Sequence, residues 1–221
     1  MSEKTVIPPE FQFVTAAYLT RISNLEASNL NELRDGLDKA SDASIFCHTF
    51  QSLSRHHFLT EGFSNDFAQW VLAGLNRPGL AEALAGIDIR DYVSLAELRG
   101  DARRMVTDYC SMHPREAELS AFESFYFCES LEVTVPHGAP VRTLKEFREG
   151  LQRLSHNAFY YHFISSRLRL QLKTNDFSNW FENALGLPRL ARRTERIDIY
   201  TNTLDTAREE LLQLIDREAY T

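Results

Sequence analysis

Apolar residues recur at helical spacing through most of the chain. Tyr160, Ile164 and Leu168 repeat every four residues among further apolar neighbours, which is typical of a helix buried in a core. Phe177 and Phe181 likewise fall on one helical face. Such spacing predicts helices over about residues 30–40, 44–58, 66–75, 94–112, 143–154, 158–172, 176–185 and 203–218, with shorter helices starting at Pro78 and Pro188.

Two segments are patterned as strands. Residues 125–135 begin with an aromatic run and then alternate between apolar and polar positions. The turn-forming sequence Pro136-His137-Gly138 follows them. Residues 11–19 are a second candidate, rich in aromatic and branched side chains. The expected fold is therefore mainly α-helical, with a small β element made from these two segments.

The second half of the chain repeats the first. His162 lies 114 residues after His48 (162 − 48), and after a gap the offset becomes 110, which relates Asp176 to Asp66 (176 − 66). Further matches at these offsets are Gly36 with Gly150, Ser52 with Ser166, Arg55 with Arg169, Trp70 with Trp180, Pro78 with Pro188, and Ile87-Asp88-Ile89 with Ile197-Asp198-Ile199. So many matches in the same order indicate an internal duplication.

The duplication sets the expected domain organisation. Residues 1–10 are predicted to be an N-terminal tail, and residues 11–221 a single globular domain. Repeat one spans residues 11–113 and repeat two spans residues 114–221, as two tandem helical repeats packed about a pseudo-twofold axis. A repeat of about a hundred residues is marginal for a rich core of its own, which favours one shared globular unit.

Composition and charge narrow the functional classes. The 221 residues carry a formal net charge of −7 with scattered basic residues, so neither nucleic acid nor an anionic membrane is an expected partner. The N-terminus has no apolar signal core, and no apolar run approaches the roughly 20 residues of a membrane span. Three cysteines without metal-ligand spacing fit reduced thiols, so a cytoplasmic protein is expected.

The candidate chemistry lies on the two central predicted helices. Positions four and seven residues apart share a helical face. One such face reads Ser44, His48, Ser52 and Arg55, and its counterpart reads Ala158, His162, Ser166 and Arg169. Small residues beside each histidine leave room for a ligand or for another backbone.

These two faces have a functional and a structural interpretation. In the first, they form a composite site at the axis between the repeats. There, His48 and His162 would act as acid or base or ligate a metal, and Arg55 and Arg169 would hold a carboxylate or phosphate. In the second, hydrogen bonds from carboxylates or carbonyls satisfy two buried histidines and pin the halves together.

Other residues have two interpretations of the same kind. Asp66 and Asp176 could orient the imidazoles, or they could favour the first turns of helices that the preceding asparagines cap. Trp70 and Trp180 could belong to the hydrophobic core. Alternatively, the indole of either could border a polar pocket and stack on a sugar.

The remaining signals for chemistry are few. Cys128 is a candidate nucleophile with no cysteine at the equivalent place in the first repeat. His56-His57 is not expected to bind one metal, because successive helical side chains diverge by about 100°. No phosphate-binding loop, serine-hydrolase elbow, zinc-protease motif or Cys-x-x-Cys occurs in the sequence.

Four runs carry a resemblance to a known family: Ser-Ile-Phe-Cys-His at 44–48, Ser-Asn-Asp-Phe-Ala-Gln-Trp at 64–70, Phe-Tyr-Tyr-His-Phe-Ile at 159–164 and Asn-Asp-Phe-Ser-Asn-Trp at 175–180. The chain resembles, over about residues 13–215, the bacterial and archaeal domain-of-unknown-function family five-seven-five-two. Some relatives are joined to glycosyltransferase domains, so the resemblance implies at most a setting in carbohydrate metabolism. It implies no catalytic residue.

The sequence therefore favours a binding or accessory module, with a small molecule or a protein as partner and a ligand site at the pseudo-twofold. Its cofactor is unknown. The alternative is a metal-assisted hydrolase or a sugar-related enzyme that uses the paired histidines and aspartates. A third interpretation is a purely structural scaffold or homodimer. Because an internal pseudo-symmetry mimics an ancestral dimer, a monomer and a homodimer are equally expected.

Overall fold

The computed structural model describes residues 9–52 and 63–219. It is mainly helical and contains a small antiparallel sheet of two strands, β1 (Val14–Ala27) and β2 (Phe125–Pro136). The described helices of the first half are α1 (Leu30–Lys39), α2 (Asp42–Phe46), α3 (Asp66–Leu75), α4 (Pro78–Ala85), α5 (Leu95–Met112) and α6 (Pro114–Ala117). Those of the second half are α7 (Leu144–Gln152), α8 (His156–Tyr160), α9 (Ser166–Leu170), α10 (Asp176–Asn183), α11 (Pro188–Glu195) and α12 (Leu204–Ala219). The predicted mainly α fold with a small β element is confirmed.

The chain divides into two compact units. We call residues 18–133 the N-terminal unit, and residues up to 17 together with those from 134 onwards the C-terminal unit. The division falls inside both strands, after Ala17 in β1 and after Val133 in β2. Each unit therefore contains the helices of one predicted repeat and the beginning of the strand segment that belongs to the other.

Aromatic residues at the beginning of the strand segments form much of the core of each unit. In the C-terminal unit, Phe11 and Phe13 contact Phe147 with ring centroids 5.3 and 5.2 Å apart, and Phe11 also lies 5.5 Å from Trp180. Their large buried area makes such rings the main hydrophobic contribution to a small core. The aromatic residues of the first predicted strand segment therefore pack against helices of the second predicted repeat.

The N-terminal unit is built in the same way. Phe125 lies 5.3 Å from Phe67 and 5.7 Å from Trp70, measured between ring centroids. Phe127 is fully buried and packs directly on Gly36 of α1, where an added Cβ would lie 2.5 Å from two ring carbons. The neighbour that requires a glycine at position 36 is therefore an aromatic ring.

Local signals place the helix starts where the sequence predicts them. The side chains of Asn65 and Asn175 accept hydrogen bonds from the backbone N–H groups of Ala68 and Ser178, each at 2.9 Å, and so cap α3 and α10. Proline occupies the first turn of α4 and of α11, where its missing N–H is not needed.

Three features differ from the sequence prediction. β1 continues to Ala27, whereas the sequence predicted a strand that ends near residue 19. The prediction ended too early because the later residues of β1 are largely exposed and carry no apolar alternation. Each predicted central helix contains a π-helical turn, at Cys47–Gln51 and Tyr161–Ser165. Residues 9 and 10, assigned to the tail, have partners: the Pro9 carbonyl accepts from the Trp180 indole at 2.8 Å, and Glu10 pairs with Arg142.

Residues 53–58 of the predicted first central helix lie outside the described residues. Arg55 and the His56-His57 pair fall in this segment, so their predicted roles have no structural counterpart here. Among the helices that the structure describes, none is long and apolar enough to cross a membrane.

Candidate functional site

His48 lies in the π-helical turn of the N-terminal unit and is 5% exposed. Its Nδ1 lies 2.9 Å from Oδ2 of Asp66, at the first turn of α3. Its Nε2 accepts a hydrogen bond from the backbone N–H of Cys128 in β2, at 2.8 Å. The other carboxylate oxygen of Asp66 accepts from the Ser52 hydroxyl at 2.6 Å. Both ring nitrogens of His48 are therefore occupied within the unit.

His162 repeats this arrangement in the C-terminal unit. Its Nδ1 lies 2.7 Å from Oδ2 of Asp176, and its Nε2 accepts from the backbone N–H of Val14 at 2.8 Å. The side chain is 3% exposed. Val14 precedes Cys128 by the same 114 residues (128 − 14) that separate the histidines. We call each such set of aspartate, imidazole and strand N–H a histidine latch.

The hydrogen bonds determine the protonation of the two rings. Because Nε2 accepts from a backbone N–H, it carries no proton, so the ring proton lies on Nδ1 and is donated to the aspartate. For His162 the pKa is lowered from its ordinary value, since burial disfavours the charged imidazolium more than the neighbouring Asp176 favours it. A second proton on Nε2 would point at the Val14 N–H. The latch therefore holds a neutral ring.

Phenylalanine rings shield each latch from water. His48 lies 4.7 Å from Phe125 and 5.4 Å from Phe67, measured between ring centroids. His162 lies 5.0 Å from Phe11 and 5.5 Å from Phe177. In such surroundings an unmatched donor or acceptor costs about 1–3 kcal/mol, so each hydrogen bond of the latch favours one position of the strand.

The latches differ in their outer contacts. In the C-terminal unit the Arg169 guanidinium pairs with Asp176 and stacks 3.7 Å above the centre of the Tyr161 ring. The Ser166 hydroxyl donates to the His162 carbonyl at 2.6 Å, whereas its counterpart Ser52 donates to the aspartate. Arg169, which the sequence predicted to hold the carboxylate or phosphate of a ligand, thus pairs with a carboxylate of the protein itself.

The indole N–H groups of both tryptophans donate hydrogen bonds within the protein. Nε1 of Trp180 donates to the Pro9 carbonyl at 2.8 Å, and Nε1 of Trp70 donates to the Glu123 carbonyl at 2.7 Å. The side of Trp180 nonetheless borders a shallow cleft of about 210 Å³ in the C-terminal unit. This cleft, which we call the indole cleft, is lined by Phe11, Asp176, Asn179, Trp180 and Asn183, among others.

The comparison with known proteins gives a family for this arrangement. A family of unknown function (DUF5752) matches residues 8–216. The chain belongs to this family. The solved structure of OrfY from Thermoproteus tenax is also similar, with 28% sequence identity and a TM-score of 0.82 over 96% of this chain and 97% of that chain. No curated protein matches the chain.

Membership of this family confirms the resemblance that the sequence motifs carried, and those motifs contain the histidine and aspartate of each latch. Each histidine pairs with its expected aspartate, and each aspartate also stands in the first turn of a capped helix, so both interpretations of Asp66 and Asp176 describe the structure. Among residues 9–52 and 63–219, no three histidine, cysteine or acidic side chains come together in a way that could hold a metal ion.

Sequence reasoning missed the strand N–H groups of Val14 and Cys128, because any residue except proline supplies such a donor. The offset of 114 between them was the available signal. It also missed Asn179 and Asn183, which stand on the solvent side of α10 among residues that looked like an ordinary polar face. The Cys128 thiol, proposed as a nucleophile, donates to the Tyr126 carbonyl at 3.7 Å, while its backbone serves the latch.

Proposed function

We propose that this chain is a cytoplasmic binding module rather than an enzyme, and that the indole cleft of the C-terminal unit is its small-molecule site. The observation that carries the proposal is the composition of this cleft: an indole side, a carboxylate and two primary amides converge on one concave surface. The latches serve the fold, because an imidazole with both nitrogens bonded can ligate a metal or move a proton only after a hydrogen bond is broken.

The hydrogen-bonding groups of the indole cleft favour a neutral polyhydroxyl ligand. The Asn183 amide donates to the Asn179 carbonyl oxygen at 2.8 Å, which leaves the Asn179 N–H groups as donors and the Asn183 oxygen as an acceptor. Asp176 adds a further acceptor. Hydroxyl groups can satisfy donors and acceptors together, and their carbon skeleton can pack on the Trp180 indole. A cleft of about 210 Å³ suits one sugar residue.

The first repeat supplies a natural reference for this proposal. At the offset of 110, Gln69 stands for Asn179 and Ala73 stands for Asn183, so the paired amides occur only in the second repeat. The two units are, in this proposal, copies of one ancestral module that exchanged the beginnings of their strands, since both latches and both indole hydrogen bonds recur at constant offsets. Packing about a pseudo-twofold axis stays a prediction.

The experiment is a nuclear magnetic resonance titration that follows the two indole N–H signals with glucose, galactose and their disaccharides. We expect saturable shifts of the Trp180 signal and none of the Trp70 signal. Asn179→Ala combined with Asn183→Ala should abolish the shifts, whereas Gln69→Ala should leave them unchanged. No shift with any sugar, or equal shifts in both signals, would contradict the proposal. Sugar turnover that is lost in His162→Gln would favour the enzyme alternative instead.

A further inference from the structure

The second repeat carries an arginine cluster that the first repeat lacks. Leu190 and Ala191 of α11 match Leu80 and Ala81 of α4 at the offset of 110, so the buried positions are the same. The other positions differ: Arg189, Arg192, Arg193 and Arg196 stand where the first repeat has Gly79, Glu82, Ala83 and Gly86. The sequence analysis treated basic residues as scattered, and this difference between repeats was the signal it missed.

Two of these arginines face a cleft in the C-terminal unit. The cleft has a volume of about 440 Å³ and lies between the end of α11 and the last turns of α12. It is lined by Arg193, Arg196, Glu210, Gln213, Leu214 and Arg217. Leu214 is 6% exposed and forms an apolar part of the wall. We call it the arginine cleft.

The guanidinium groups of Arg193 and Arg196 have no partner within the described part of the chain. Elsewhere in the C-terminal unit, Arg148 pairs with Asp216 and Arg208 pairs with Asp205. With Arg217 left out of the count, Arg193 and Arg196 against the single carboxylate of Glu210 give a formal charge of +1 (2 − 1), in a chain whose net charge is −7. The cleft is thus locally cationic in an acidic protein.

Helix electrostatics explains only part of the cluster. Arg192 and Arg193 lie in the last turn of α11, where cations interact favourably with the helix dipole, by about 0.3–1 kcal/mol each. That effect does not account for Arg217, which comes from a different helix and lines the same cleft. It also does not distinguish Arg193, which faces the cleft, from Arg192, which does not line it. Convergence from two helices indicates an anion.

We infer that the arginine cleft binds a phosphorylated small molecule. Guanidinium groups bind phosphate through paired, charge-assisted N–H donors. Glu210 and Gln213 stand in the same wall and offer acceptors to hydroxyl groups, which inorganic phosphate would leave unused. The volume of about 440 Å³ falls within the range of about 300–1,000 Å³ usual for small-molecule sites. This inference does not depend on the indole cleft.

The test is isothermal titration calorimetry of the full chain with ribose 5-phosphate, ribose and inorganic phosphate. We expect ribose 5-phosphate to bind at least tenfold more tightly than either of the others. Arg193→Gln combined with Arg196→Gln should weaken that binding at least tenfold. The matched control is Arg189→Gln combined with Arg192→Gln, which removes the same charge from the same helix outside the cleft and should change affinity less than twofold.

Several outcomes would overturn the inference. They are an absence of saturable binding to ribose 5-phosphate, equal losses in the two double variants, and equal affinity for ribose 5-phosphate and inorganic phosphate, which would make free phosphate the ligand. Tighter binding to single-stranded RNA or to anionic vesicles, lost equally in both variants, would assign the cluster to a polyanion surface. Unchanged thermal unfolding of both variants is the folding control, and the Asn179→Ala/Asn183→Ala variant should bind ribose 5-phosphate normally.

Discussion

The N-terminal and C-terminal units share the same kinds of buried contacts but differ in their surface residues. Both contain a neutral histidine that joins an aspartate to a strand N–H, and both pack a strand phenylalanine on a helix glycine. On the surface, α4 of the N-terminal unit and the residue after it carry glycine, alanine and one glutamate where α11 of the C-terminal unit and the residue after it carry four arginines. The paired amides beside Trp180 are also absent from the first repeat.

The comparison separates what the fold requires from what is free to change. The latches and phenylalanine contacts occur in both units, so they follow from the architecture and say little about a ligand. Features present in one unit only cannot be required by that architecture. Arg193 and Arg196 of the arginine cleft and the paired amides of the indole cleft are of this second kind, and both clefts lie in the C-terminal unit.

The largest expected effect tests the shared interior. Alanine at Gly36 would force its Cβ to within 2.5 Å of the Phe127 ring, in a core that cannot expand. Overpacking of this kind costs about 1–3 kcal/mol, which the gain of about 1 kcal/mol in helix propensity offsets only in part. We expect Gly36→Ala to lower the free energy of unfolding by up to about 2 kcal/mol, and Gly150→Ala, which faces Phe13, to do the same in urea denaturation.

Gly100 supplies the matched control, because it lies in α5 with nothing within 4 Å of an added Cβ. Gly100→Ala should raise the free energy of unfolding by up to about 1 kcal/mol. If Gly36→Ala and Gly100→Ala behaved alike, the close phenylalanine packing would not exist in solution. If only one of Gly36→Ala and Gly150→Ala were destabilising, the two units would not share this close packing of phenylalanine on glycine.

A smaller effect concerns pH and the latch of the C-terminal unit. Burial lowers the pKa of His162 below its ordinary value of 6.5. Between the folded and the ordinary pKa, the unfolded chain binds a proton that the folded chain does not, so the free energy of unfolding rises with pH. This contribution is complete above about pH 6.5 and is lost as the pH falls through the folded value, with a slope of at most about 1.4 kcal/mol per pH unit.

His162→Gln should remove this contribution, since the glutamine amide can bond Asp176 and Val14 without titrating. Urea denaturation between pH 5 and pH 8 should therefore show a flatter curve for His162→Gln than for the unaltered chain. The internal control lies above about pH 6.5, where His162 contributes no pH dependence and the two curves should run parallel. An unchanged slope in His162→Gln would mean that the latch is open or already charged.

Much of this fold could be predicted from sequence because its signals are local. The apolar spacing of Tyr160, Ile164 and Leu168 identified a buried helix, and the residues before Asp66 and Asp176 identified the caps. Helical periodicity and capping depend on neighbours within a few positions, so a single sequence reports them well.

What sequence could not show was long-range. The hydrogen bonds from strand N–H groups to the two histidines join residues 80 and 148 positions apart, so they leave no trace in local composition. The predicted duplication placed the histidines but not their strand partners, because each histidine accepts from a strand segment assigned to the other predicted repeat. The pairing of His48 and His162 across an axis stays a prediction.

The smallest expected effect separates the two helix caps. Asn65 accepts from Ala68 and also donates to the Leu84 carbonyl at 2.9 Å. Asn175 makes the same cap, but its fully buried Nδ2 has no hydrogen-bond partner in the described part of the chain. Serine can replace the cap but not the amide donor. We expect Asn65→Ser to lower the free energy of unfolding by about 1 kcal/mol and Asn175→Ser to change it little.

Thermal and urea unfolding of the two single variants would measure this difference directly. Its physical basis is that Asn65→Ser removes one of the two donors to the Leu84 carbonyl and leaves only the Ile87 N–H, whereas Asn175→Ser removes an amide whose burial was already uncompensated. Equal losses would show that Asn175 has a partner that the geometry does not supply, such as an ordered water. A difference of about 1 kcal/mol would show that two equivalent caps, matched at the backbone, differ in the second hydrogen bond each side chain can make.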